Sequence, residues 1–154
     1  MKKEKIMLFA LIAFILICAL FILSKMPAKD ENGRTLMKAE AYIFIDRLPS
    51  SYSLYITDIT DFKKQAIFDS DIDIGILPRH EDKIKYAGVV VCDDNLVFSF
   101  KAYVSELDIY GYHNVHETIK NLPYGSECIL RVNLWHEGVI VSRDSKTFVV
   151  KNGG

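Results

Sequence analysis

Residues 85–104 read KYAGVVVCDDNLVFSFKAYV, and this stretch decides the fold class because it has the form of a β-hairpin. Two runs rich in β-branched and aromatic residues, 85–92 and 96–104, flank the turn-forming triplet Asp93-Asp94-Asn95. Apolar residues alternate with other residues along the second run, and its apolar face comprises Phe98, Phe100, Ala102 and Val104. This alternation predicts a half-buried strand whose other face meets solvent.

Short apolar runs separated by polar turns continue on both sides of the hairpin. They predict further strands at 41–45, 52–56, 71–77, 128–135, 138–141 and 147–150, with polar breaks between them. Two segments predict helices instead. Residues 61–68 place apolar side chains at helical spacing, and residues 114–122 begin with Asn114 and Glu117 in a pattern like a capping box and end before Pro123.

These elements predict the α+β class, with an N-terminal transmembrane helix followed by a mainly antiparallel sheet packed by one or two short helices. A small barrel or a sandwich is the alternative architecture. The length of 154 residues fits a single domain with a short appendage. The 50% apolar and 25% charged residues exclude a disordered chain.

The N-terminal appendage is an apolar segment that predicts a membrane anchor. Residues 6–23 read IMLFALIAFILICALFIL and hold no charged residue. As a helix they measure about 27 Å, close to the hydrocarbon thickness of a bilayer. A cleavable signal peptide is the competing interpretation, and a buried core helix is a third. The apolar run is longer than the ~7–15 residues usual in signal peptides, and no small-x-small cleavage site follows it, which favours an uncleaved anchor.

Basic residues on the flanks orient the anchor. Lys2, Lys3 and Lys5 precede it, so the positive-inside rule keeps the N-terminus in the cytoplasm. The expected division is a cytoplasmic tail at 1–5, a transmembrane anchor at 6–23, a linker at 24–38 and an exported α+β domain at 39–154. The expected location is the cell inner (cytoplasmic) membrane, crossed once, with the C-terminal domain outside and periplasmic in a two-membrane envelope.

Two cysteines lie outside the anchor, Cys92 and Cys128. An even pair of cysteines in an exported domain predicts one disulfide, which would close a loop of about 36 residues. Two buried free thiols are the alternative. The predicted export of the domain therefore favours the disulfide, and a disulfide would in turn favour export.

No residue pattern predicts a catalytic centre, a metal site, a cofactor or a nucleic-acid partner. Asp69–Gly75 resembles the start of an EF-hand loop, but its glycine falls at position 7 and the sharp turn needs it at position 6. His113 and His116 lack an identifiable third ligand for zinc. The sequence has no GxSxG, SxxK or HExxH frame, no Gly-rich phosphate loop and no basic-aromatic run.

Tyrosine is the residue type that points to a binding surface. All eight tyrosines lie outside the anchor, and the C-terminal half groups five candidate binding residues: Tyr103, Tyr110, Tyr112, Tyr124 and Trp135. Tyr and Trp pack their rings against a partner while a polar tip stays hydrated. Tyrosines on half-exposed sheet faces are the ordinary alternative. Residues 1–29 carry a net charge of +4 and residues 30–154 a net charge of −5, so we expect a basic partner.

These features predict a membrane-anchored extracytoplasmic domain with a non-catalytic protein-binding role, either an inhibitor or immunity-type protein or an accessory protein of an envelope assembly. An envelope hydrolase that uses His and carboxylate groups is one alternative, and it requires the convergence of His113, His116 or His136 with a serine or a carboxylate. A small-ligand sensor module is the other alternative, and it requires an apolar pocket lined by tyrosines.

We predict that alkaline phosphatase fused after residue 154 is active and that β-galactosidase fused there is inactive, because the first enzyme needs export and the second needs the cytoplasm. Deletion of residues 6–23 should reverse both activities. An active β-galactosidase fusion to the full-length chain would contradict the predicted orientation.

Overall fold

The computed structural model describes residues 2–69, 84–104 and 112–153. The described residues form one helix, α1 (Lys2–Ser24), and seven strands. The strands are β1 (Leu36–Leu48), β2 (Ser51–Lys64), β3 (Ile84–Cys92), β4 (Asn95–Tyr103), β5 (Tyr112–Pro123), β6 (Glu127–His136) and β7 (Val139–Val149). The predicted strand at 71–77 lies outside the described residues.

The helix α1 is apolar and exposed. Its segment Ile6–Ser24 is long and apolar enough to cross a membrane, and none of it is buried. Large side chains such as Phe9 and Phe14 are more than half exposed. A continuous apolar surface of this extent is typical of contact with a membrane or a partner. The N-terminal helix therefore has the length, composition and exposure of a membrane span.

The strands form two antiparallel sheets, with strand orders β2-β1-β5 and β4-β3-β6-β7. Alternate residues of each strand face one shared core, because strand side chains point to opposite faces in turn. On the central strand β1 the fully buried residues are Met37, Ala39, Ala41, Ile43 and Ile45. The predicted N-terminal helix followed by a mainly antiparallel sheet is confirmed. Within the described residues the sheets pack on each other, as in the alternative sandwich, and not under helices.

The edges of β2 and β7 meet at a seam that is closed by side chains. Three side chains of β7 bond to the backbone of β2: Ser142 Oγ accepts from Leu54 N–H (3.0 Å), Asp144 Oδ2 accepts from Ile56 N–H (2.7 Å) and Lys146 Nζ donates to the Thr57 carbonyl (2.7 Å). An exposed strand edge offers unpaired backbone groups to other chains. In the seam, backbone groups of β2 are hydrogen-bonded to side chains of β7 within the same domain.

The predicted helix at 114–122 is wrong, because this segment belongs to β5. The apolar residues on which the prediction rested are buried in the core: Val115, Ile119 and Leu122. A register shift against β1, next to the left-handed Asn121 (φ +59°), adds one residue to β5 and changes which residues face inward. Glu117 is bonded to the buried Tyr86 of the other sheet. Because of the bulge and the inward-facing polar Glu117, the apolar residues of β5 have the spacing that is typical of a helix.

The predicted helix at 61–68 is also wrong, because β2 continues to Lys64. A similar bulge lies at Asp61 (φ +56°), so Ile59 and Phe62 are both buried although three positions separate them. The polar break predicted between the strands at 138–141 and 147–150 is likewise wrong, since β7 runs through residues 143–146. Its polar side chains either face solvent or close the seam with β2.

The hairpin at 85–104 is confirmed as β3 and β4. Its two turn residues, Asp93 (φ +48°) and Asp94 (φ +63°), both adopt the left-handed conformation that a two-residue type I′ turn requires. Glu137 and Gly138 form the same kind of turn between β6 and β7. Asp is tolerated in this conformation, so the polar dipeptide was a valid turn signal without glycine.

The predicted disulfide joins Cys92 and Cys128. The two residues lie directly opposite each other on β3 and β6, and both are buried. Their Cα atoms are 4.2 Å apart, which is close to the spacing of a pair that does not exchange backbone hydrogen bonds. The bond therefore crosses two paired strands and fixes their register.

We predict that the double substitution Cys92→Ala and Cys128→Ala lowers the free energy of unfolding by about 4 kcal/mol, the chain-entropy value for a loop of this length. Urea unfolding of the full-length protein in detergent measures the loss. The matched control is Cys18→Ala, which removes the free cysteine of α1. An unfolding midpoint equal to that of the control would contradict the prediction.

Candidate interaction surface

The exposed face of the four-stranded sheet presents a row of large side chains at one end. The register places Tyr103 opposite Lys85, Lys85 opposite Trp135 and Trp135 opposite Ile140. Directly opposite residues project from the same face of a sheet. The Lys85 ammonium lies 5.5 Å from the Trp135 ring centroid, within the range of a cation–π interaction. These four residues, the aromatic row, combine ring surface with one positive charge.

Basic side chains surround the centre of the same face. This basic cluster comprises Lys85, Lys101, Arg131 and Arg143. Lys101 and Arg143 stand at the two ends of the row next to the aromatic row, and Ala87 and Asn133 lie between them. Three strand spacings separate their backbones by about 14 Å. Arg131 belongs to the row after that.

The charges of the basic cluster are not neutralised within the sheet. In the described parts of the chain, the ion pairs involve other cations, such as Arg34, Lys38 and Lys146. One carboxylate on this face, Glu127, stands at the end opposite the aromatic row. The centre of the face is therefore positive, although the domain as a whole is acidic.

Burial of the inner face of β3 fixes the orientation of Lys85 on the outer face. Tyr86 and Val90 are buried, and the Phe100 ring covers Gly88 so closely that a Cβ there would overlap it. The Tyr86 hydroxyl donates to Glu117 Oε1 at 2.7 Å and so links the two sheets. Burial raises the pKa of Tyr86, and the hydrogen bond to Glu117 and the charge of its carboxylate raise it further. The hydroxyl remains a donor at neutral pH.

The structure brings two of the five candidate binding residues together. Tyr103 and Trp135 share the aromatic row, whereas Tyr112 begins β5 in the other sheet. Tyr124 is an exposed residue in the turn after β5, at the end of the domain next to α1. Tyr110 lies outside the described residues. The four described candidate residues are therefore close in sequence but do not form one surface patch.

A second aromatic group lies on the outer face of the three-stranded sheet and was not predicted. Tyr42 stacks on His116 with ring centroids 4.9 Å apart, and Phe44 packs against Tyr112 at 5.5 Å. The exposed Tyr55 is opposite Phe44. The pairs come from strands far apart in sequence, so only the β1–β5 and β1–β2 registers reveal them.

The described histidines lie in different places. His116 Nε2 is 2.9 Å from Glu40 Oε2 on the outer face of the three-stranded sheet. His136 ends β6 and packs edge-on against the Tyr52 ring at 4.9 Å. His113 is opposite Ile45 of β1. The hydrolase alternative requires one histidine to meet a serine or a carboxylate in a cleft. Of these three, His116 lies beside a carboxylate, and its side chain is 57% exposed on the outer face of the sheet.

The segment between α1 and β1 is hydrogen-bonded to the domain. Ile67 N–H donates to the Met26 carbonyl at 3.1 Å, and Ala28 N–H donates to the Gln65 carbonyl at 2.8 Å. Met26 is the second residue after α1 ends at Ser24. Residues 36–38 of the expected linker belong to β1. The connection is therefore short and attached, not a free tether.

Arg34 is the centre of this attachment. Its Nε lies 2.7 Å from Asp30 Oδ2 and its Nη1 lies 2.7 Å from Asp93 Oδ2. The buried Ser126 accepts a hydrogen bond from Arg34 Nη1 at 2.8 Å and donates one to Asp93 at 2.8 Å. Asp30, Arg34, Asp93 and Ser126 form the Arg34 junction, which adjoins the disulfide at Cys92.

The Arg34 junction favours the charged forms of Asp30, Arg34 and Asp93. Hydrogen bonds from Arg34 and Ser126 lower the pKa of Asp93. Desolvation raises the pKa of Asp30, but the hydrogen bonds and charge of Arg34 outweigh it and the pKa lies below its ordinary value. Since both carboxyl pKa values are depressed in the folded state, their stabilisation is present at neutral pH and is lost as the pH falls below about 4.

Comparison with known proteins returns no match: no protein-family model, no curated protein and no solved structure is similar to this chain. Among residues 2–69, 84–104 and 112–153, no group of three or more His, Cys, Asp or Glu side chains could hold a metal ion. The candidate site is therefore described by its own geometry, which is that of an exposed basic and aromatic sheet face.

We predict that Asp93→Asn lowers stability at neutral pH and reduces the loss of stability between about pH 5 and pH 2, because the depressed carboxyl is no longer there to be protonated. Urea midpoints of the full-length protein across this pH range test the prediction. Asp94→Asn, in the same turn but outside the Arg34 junction, is the matched control. A pH dependence equal to that of the wild type would contradict a stabilising role for the junction.

Proposed function

We propose that this protein is a single-pass membrane protein of the cell envelope whose exported domain binds another protein without catalysing a reaction. The observation that carries the proposal is the aromatic row, where Tyr103 (41% exposed) and Ile140 (36% exposed) flank Lys85 and Trp135. Tyrosine and tryptophan side chains are enriched at the centres of protein interfaces.

The position of the aromatic row relative to the anchor supports this role. The segment after α1 is attached near Asp93, next to Cys92 at one end of β3, and Lys85 is seven residues from Cys92 towards the other end. This separation corresponds to about 23 Å along the strand. The attached domain thus presents the row on the side remote from α1, where a second protein has access.

The compartment is part of the proposal. The disulfide between Cys92 and Cys128 is typical of an oxidising environment. The lysines before residue 6 favour a cytoplasmic N-terminus. In the proposed orientation, with α1 spanning the inner membrane, the domain lies outside it. A domain of this kind serves as an inhibitor or immunity-type protein or as an accessory protein of an envelope assembly, and the identity of the partner separates these roles.

Site-specific photocrosslinking in intact cells tests the proposal. With benzoylphenylalanine in place of Tyr103 in the full-length chain, we expect a covalent adduct with a protein of defined mass. In place of Tyr124, which is similarly exposed at 45%, we expect no such adduct. Trp135→Ala should lower the adduct yield at position 103 by at least about tenfold, because buried interface tryptophans contribute strongly to binding.

The control substitution is Tyr55→Ala, which removes an exposed aromatic side chain from the other sheet. It should leave the adduct yield unchanged. The absence of a protein adduct at position 103, or equal adducts at both positions whatever residue stands at 135, would overturn the proposal.

A further inference from the structure

We infer that the basic cluster docks an acidic segment of the partner protein. The inference rests on the proposed function and adds the chemistry of the partner. It concerns the surface directly beside the aromatic row, since Lys85 belongs to both sets.

The arrangement of the cluster suits several carboxylates at once. Lys101 and Arg143 stand about 14 Å apart across the sheet, and Lys85 and Arg131 are separated by a similar distance along it. Short or small side chains, Ala87 and Asn133, occupy the centre. The cations therefore surround a shallow depression in the sheet face. Carboxylates of a segment that crosses this depression reach more than one cation.

The lack of carboxylate neighbours around the basic cluster, within the described residues, also favours an acidic partner. Within the described residues, the cations of the Arg34 junction and of the β2–β7 seam already have carboxylate neighbours, whereas those of the basic cluster have none. Arg131 and Arg143 present guanidinium forks, which bind carboxylates with two parallel hydrogen bonds. Charge complementarity at this face thus requires an acidic occupant.

A protein segment fits the face better than a purely anionic ligand does. Val89 (37% exposed) and Leu96 (65% exposed) lie on the same face as the cations, and the aromatic row adds further apolar surface. Phosphate-rich headgroups and polymers would pair with the cations and leave this apolar surface in water. A polypeptide that carries both acidic and apolar side chains covers both.

The positive charge of this sheet face favours a different partner from the one expected from the net charge of the domain. The net charge of −5 over residues 30–154 favoured a basic partner. Several described carboxylates, such as Glu40, Asp46 and Asp58, lie on the opposite sheet. Lys85 stands in the aromatic row itself, and Lys101 and Arg143 stand in the next row. A partner that docks on the aromatic row therefore meets positive charge, and we propose an acidic one.

The test uses the full-length protein with the crosslinker at position 103. The double substitution Lys101→Glu and Arg143→Glu should lower the yield of the protein adduct by roughly tenfold, and Lys101→Gln with Arg143→Gln should give a smaller loss, because both reduce attraction to an acidic surface. The matched control, Lys63→Glu with Lys64→Glu, makes the same charge change on exposed residues of β2 and should have no effect.

Mapping of the crosslinked peptide gives a second, independent measurement. We expect a peptide with net negative charge, and reversal of its acidic residues to lysine should restore the adduct with the Lys101→Glu, Arg143→Glu variant. Unfolding midpoints of the two Glu double variants should match, which separates a loss of docking from a loss of folding.

The possible failures can be distinguished. A protein adduct that persists in the Lys101→Glu, Arg143→Glu variant, or a mapped peptide without net negative charge, overturns the acidic-segment inference and leaves the proposed protein-binding function standing. An adduct that contains lipid, glycan or nucleic acid and no peptide overturns both, as does the absence of any adduct at position 103.

Discussion

The register of β3 against its two neighbours is the constraint on which the exposed surface depends. Alternate residues of β3 are buried, so a slip of one residue would turn Lys85 towards the core and expose Tyr86. Burial of Tyr86 and its bond to Glu117 oppose that slip, and the disulfide at Cys92 fixes the pairing with β6 covalently. A crosslink at one end of the sheet thus determines which side chains form the basic cluster nearer the other end.

Sequence patterns predicted the hairpin at 85–104 because its alternation is regular from Phe98 to Val104 and its register shift lies next to the turn. The apolar face and the turn dipeptide are both local features. The helix predictions failed where a bulge shifts the inward-facing set, at Asp61 in β2 and Asn121 in β5. A bulge depends on the partner strand, here β1, and a single-segment periodicity contains no information about that partner.

The candidate surface was only partly predictable for the same reason. Tyr103 and Trp135 are expected to bind a partner, yet their positions opposite the same lysine depend on the strand order β4-β3-β6, which does not follow the chain order. The basic cluster takes one residue from each of four strands, so no run of the sequence shows it. An average charge over 125 residues likewise does not reveal the four cations that β3, β4, β6 and β7 bring together on one sheet face.

The proposed binding face is small, and the short attachment to α1 would compensate for its size. The four strands of the sheet are about 14 Å wide, and the cluster with the aromatic row extends about 13 Å along them. That flat area is less than half of the ~800 Å² per partner in a standard stable interface, so the face alone suits a weak or transient complex. The Arg34 junction and the backbone bonds of Met26 and Ala28 hold the domain beside the end of α1. If α1 spans the membrane, a partner in the same membrane meets the face at a raised effective concentration, and a modest intrinsic affinity is then sufficient for occupancy.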